Sequence, residues 1–132
     1  MLGIACKQNN PHHHDSHGDN LQGNSLQEEI LKIHDELMPK MGKIFSLKEA
    51  LQKKLDETPD LTEEKKEEIK TAIHNLEKAD QAMRDWMHSD NPPADSLGEE
   101  GIQKYLEEQK KEILKVKDDM LKALEMASKL NS

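Results

Sequence analysis

His34, Met38 and Met41 stand four and three residues apart, the spacing that sets side chains along one flank of a helix. Met83, Trp86 and Met87 form a similar group further along the chain. Thioethers and an imidazole are soft ligands suited to Cu(I), and an indole beside them can shield such a site. The same residues read equally as packing, because Met fills irregular gaps and makes favourable contacts with aromatic rings. His12, His13, His14 and His17 offer a second, looser set that can take up Ni, Zn or Cu without fixed geometry, or serve as polar spacer. A di-iron carboxylate centre would need Glu-x-x-His motifs on two helices. Asp85-x-x-His88 is the nearest approach, and His74, between Ile73 and Asn75, reads as a surface or boundary residue. The sequence contains no Gly-rich phosphate loop, no Gly-x-Ser-x-Gly elbow and no His-Glu-x-x-His. The expectation is a protein that is not an enzyme and requires no cofactor, with copper as the one cofactor its residues suggest.

The elements that would carry these groups follow from hydrophobic period. Ile30, Leu37, Ile44 and Leu51 recur every seven residues, with His34, Met41 and Leu55 on the adjacent row. That pattern predicts a helix over about 25–57, opened by a Ser25-x-x-Glu28 capping box and ended by Thr58-Pro59. Pro39 inside it removes one N–H and clashes with the carbonyl of Asp35, so a bend is expected there, and Gly42 weakens the same turn. Asp60-x-x-Glu63 offers a cap for a second helix over about 61–89, with Ile69, Ala72, Ile73, Leu76, Ala79, Met83, Trp86 and Met87 on one side. Residues 90–95 cannot continue it, because they include Pro92 and Pro93. Ser96-x-x-Glu99 then caps a third helix, about 97–130, with inner rows from Ile102 and Leu106 through Gln109, Ile113, Val116, Met120, Ala123 and Ala127 to Leu130. Three helices of similar length joined by short turns predict an all-α, up-down-up antiparallel bundle over 25–132. In such a bundle Met83, Trp86 and Met87 fall opposite Ile30 to Leu37, near His34, with Tyr105 at the same end. Gln109 and Lys48 occupy core rows, where polar residues can set register and oligomeric state.

Composition agrees with this and excludes much else. Of 132 residues 35% are charged and 2% aromatic, with one Trp, one Tyr and one Phe. A single Val and three Thr leave little from which to build strands. No apolar run approaches the ~20 residues that cross a bilayer. The net charge of −8 arises from 27 acidic and 19 basic residues, and no basic run exceeds two lysines, so nucleic acid is not an expected partner. Glu precedes Lys by four residues at 28/32, 36/40, 49/53, 100/104 and 107/111, which supports solvated helix faces.

One cysteine excludes an internal disulfide, and its setting is informative. Met1-Leu2-Gly3-Ile4-Ala5-Cys6-Lys7 resembles the end of a bacterial lipoprotein signal, with Ala5 before the cleavage point and Cys6 as the residue that would carry lipid. Gly3 stands where Leu is usual. The basic segment and most of the apolar stretch of a signal peptide do not appear, so the resemblance implies that Met1 is not the true start. Residues 7–24, polar and without period, read as a flexible His-rich tether.

Taken with residues 34–41 (HDELMPKM), 79–87 (ADQAMRDWM) and Tyr105-Leu106-Glu107-Glu108, the Cys6 region is similar to that of short helical lipoproteins of the Bacteroidota labelled "viral A-type inclusion protein". The resemblance implies a helical fold and a lipid-anchored place in the cell envelope, on its periplasmic or outer-membrane side, and no reaction. The expected function is a non-catalytic interaction or structural module that binds another envelope protein or itself. An envelope metal-binding protein using the His34, Met38, Met41, Met83, Trp86 and Met87 end is the alternative.

Overall fold

The structure, a computed structural model, describes residues 21–89 and 98–132, with side chains from Ser25 onward. Among these residues there are three α-helices and no strand: α1 (Leu21–Glu57), α2 (Glu63–Ser89) and α3 (Gly98–Asn131). Each helix packs against the other two, giving the expected all-α bundle. At 1.5 Å per residue the longest helix extends about 55 Å.

Contacts between helices fix the directions. Glu29 pairs with Lys110 and Glu36 with Lys117, both at an offset of 81 residues, so α1 and α3 run parallel. His34 meets Trp86 while Lys48 meets Glu77, so α2 runs against α1. Trp86 with Gln109 and Asn75 with Met126 set α2 against α3 in the same way. The most extensive packing joins the parallel pair, α1 and α3.

The inner rows lie where their period places them. Ile30, Leu37, Ile44 and Leu51 of α1 are buried, as are Ile69, Ala72, Leu76, Ala79, Met83 and Trp86 of α2. The α3 share runs from Leu106 to Ala127 and includes Leu124, one position off the expected rows. Each fully buried Leu or Ile contributes roughly 1.5–3 kcal/mol, which lets few large aliphatics hold a long bundle.

The helix ends depart from expectation. α1 already begins at Leu21, so four residues assigned to the tether are helical and Ser25 lies inside the helix rather than capping it. No Pro stands between Pro11 and Pro39 to stop the ladder from propagating upstream. The α2 cap is Thr62, not Asp60: Lys65 N–H donates to Thr62 Oγ1 at 3.1 Å, and Lys66 N–H donates to the Thr62 carbonyl at 2.9 Å. Asp60 sits instead in a turn closed by Leu61 N–H on the Thr58 carbonyl. Gly98 opens α3 at φ +74°, a left-handed conformation natural to glycine. The Ser96 cap falls outside the described residues. α1 continues through Pro39 as one helix, with Pro39 on the exposed side where the freed Asp35 carbonyl can meet water. Among the expected Glu–Lys pairs, Glu36 reaches across to Lys117 and Lys111 meets Glu108.

Candidate interaction face and methionine-rich end

At one end of the bundle α1 and α2 bring His34 and Trp86 together. Their ring centroids are 6.2 Å apart and tilted by 36°. Trp86 Nε1 donates to the backbone carbonyl of Gln109 at 3.2 Å, tying the indole of α2 to α3 inside the core. Gln109 is 7% exposed, and among the described residues its Oε1 is buried without a donor. Tyr105, one turn before Gln109, packs half-buried against the same core.

The methionines expected here separate by depth. Met83 is fully buried between the helices, whereas Met41 and Met87 are half-buried against the core. Met38, on the next row round α1, is 41% exposed. His34 Nδ1 lies 3.3 Å from Asp35 Oδ1, and His88 Nδ1 donates to the Arg84 carbonyl at 2.8 Å. Among the described residues no three His, Cys, Asp or Glu side chains gather as a metal-binding group. The soft donors that the helices carry toward this end are the imidazoles of His34 and His88 and the thioethers of Met38, Met41, Met83 and Met87. Cys6 and the tether histidines His12, His13, His14 and His17 lie outside the described residues.

A second feature was not singled out in the sequence. Leu31, Met38 and Phe45 of α1 are 59%, 41% and 58% exposed. They recur every seven residues and so make a straight apolar row on the outside of a bundle whose core is already filled. Phe45 is the only Phe in the chain. Leu114 and Leu121 form a shorter row of the same spacing on α3. Between α2 and α3 an open groove is lined by Met126 and Leu130 together with Glu64, Glu67, Glu125 and Lys129. The signal that would have found the α1 row was present: the inner period repeated one residue later.

The charges around these faces are mostly paired along their own helices. Arg84 Nε bonds Asp80 at 2.7 Å, and that bond and the carboxylate charge raise the guanidinium above its ordinary pKa. Asp118 does the same for Lys122. No helix among the described residues is long and apolar enough to cross a membrane. Comparison of the chain with protein-family models, with curated proteins and with solved structures gives no match.

Proposed function

We propose that this protein is a non-catalytic interaction module of the cell envelope, anchored by lipid on Cys6 and held off the membrane by its polar tether. The observation that carries the interaction reading is the row Leu31, Met38 and Phe45, exposed on a helix whose inner row already fills the core. Leaving three large apolar side chains in water at regular spacing gains nothing for the isolated bundle, whereas a helical partner would cover them. The anchor reading rests on the sequence around Cys6 and on its resemblance to bacterial lipoproteins. Several acyl chains on one residue hold a protein where a single chain binds only marginally. In an envelope-bearing host, mass spectrometry of the mature N-terminus is expected to find a lipid-modified cysteine. Cys6→Ser is expected to move the protein from the membrane to the soluble fraction, and an unmodified Cys6 would sink the anchor.

The contact of His34 with Trp86, on two helices that also carry Met38, Met41, Met83 and Met87, favours a second reading, a Cu(I) site at this end. Titration of the reduced protein with Cu(I) is the test. Stoichiometric uptake quenching Trp86 fluorescence and lost in His34→Leu supports the site. Uptake unchanged in His34→Leu and Met87→Leu removes it.

A further inference from the structure

The outer row of α1 has a defined place among its neighbours. With 100° per residue, rows of sevenfold spacing succeed one another about 50° apart round the helix. The row His34, Met41, Lys48 faces α2, since His34 meets Trp86 and Lys48 meets Glu77 at 3.5 Å. Next comes Leu31, Met38, Phe45, and beyond it Glu28, Asp35, Gly42, Glu49. On α2, Glu77 belongs to the row Lys70, Glu77, Arg84, which borders the same seam from the other side.

We propose that two copies of this chain pair in parallel, about a two-fold axis along the bundle, with Leu31, Met38 and Phe45 of each α1 against the same residues of its partner. A heptad row is compatible with in-register self-pairing of this kind. The flanking charges decide the direction. With the axis along the helices, the two α2 helices fall on opposite sides of the joined α1 pair. The row Asp35, Gly42, Glu49 then runs beside the partner's Arg84, Glu77 and Lys70. Asp35 is roughly level with the partner's Arg84 and Glu49 with the partner's Lys70. Opposite the partner's Glu77 stands Gly42, where a Cβ would meet nothing within 4 Å. An antiparallel pairing would instead bring the row Glu28, Asp35 and Glu49 against its own copy, acid against acid. At present Arg84 is paired with Asp80 and Lys70 with Glu67 at 3.7 Å. Both are surface pairs on one helix, a kind that contributes little, so exchanging partners costs little.

The apolar row covers about two heptads, roughly 21 Å of helix, well short of the ~800 Å² per partner of a standard stable interface. The pair is therefore weak in dilute solution and strengthened wherever both copies share a surface. The parallel arrangement puts both α1 N-termini at the same end. Only the strengthening on a shared surface draws on the anchored reading; the pairing itself does not.

Disulfide trapping in the full chain tests it, with Cys6→Ser throughout so that no native thiol competes and lipidation plays no part. Phe45→Cys alone and Leu31→Cys alone are each expected to give covalent dimers under mild oxidation, several-fold above Ser128→Cys, an exposed control on α3. Arg84→Glu is expected to reduce trapping several-fold, and Asp35→Lys added to it to restore it. Trapping only when Leu31→Cys and Phe45→Cys chains are mixed would show antiparallel pairing and overturn the proposal. Trapping at the Ser128→Cys level, or indifferent to Arg84→Glu, would overturn it too. A failed anchor would show instead in the mass of the mature N-terminus.

Discussion

Two rows of α1 share one spacing and meet opposite fates. Ile30, Leu37 and Ile44 are 6%, 0% and 2% exposed, while Leu31, Met38 and Phe45, one residue later in each case, are 59%, 41% and 58% exposed. Period alone says that a residue belongs to a face; it does not say which face turns inward. The inner row holds the fold together, and the outer row is surplus to it. On one helix, the buried row and the exposed apolar row are thus separated by about 100° of rotation.

That separation has consequences of graded size. Leu37→Ala is expected to cost about 2–5 kcal/mol in urea unfolding followed by circular dichroism, because a fully buried side chain leaves a cavity. Leu31→Ala in the same dilute conditions should stay within roughly 0.5 kcal/mol of the parent. Equal losses from the two would collapse the distinction between the rows. Gln109, the one buried polar side chain among the described residues, should move the other way. Replacing it with Leu removes an acceptor without a donor, so the unfolding free energy is expected to rise by about 1–3 kcal/mol while Trp86 keeps its bond to the backbone carbonyl. A fall in stability would mean that Gln109 has a partner in solution. Thr62→Ala should cost about 1 kcal/mol through loss of the α2 cap, and Asp60→Ala clearly less. A small effect also belongs to the charged rungs between α1 and α3. Glu36→Gln should cost at most about 1 kcal/mol, and the difference should shrink in 1 M salt.

Much of the fold was legible because helices advertise themselves through period, and the turn after α1 through Thr58-Pro59. The register around that turn was legible too, and it places Trp86 beside His34. What escaped were features decided by competition among near-equal local options. Asp60 and Thr62 are both good caps, and the Asp60-x-x-Glu63 pattern favoured the wrong one. Ser25 looks like a cap, yet helical hydrogen bonding continues past it to Leu21. The methionine cluster was half legible. Spacing put Met38 and Met41 on one flank, but burial distinguishes residues a single row apart. The exposed apolar row was missed because the inner period accounts for the helix without Leu31 and Phe45, and Met38 fits the flank of His34 and Met41 as well as it fits theirs. The Trp86 bond to Gln109 depends on the depth at which α2 meets α3, which no spacing rule supplies.

The parallel alignment of α1 with α3 shapes how the chain must fold. Its most extensive interface joins segments 81 residues apart, with α2 lying between them in sequence. The neighbouring hairpin of α1 and α2 is the least extensive contact of the three. The chain must meet the entropy of closing a long loop before its most extensive interface forms. Folding is therefore expected to be cooperative across all three helices, with no stable two-helix stage, and a single cut between α2 and α3 should release the whole bundle rather than one helix.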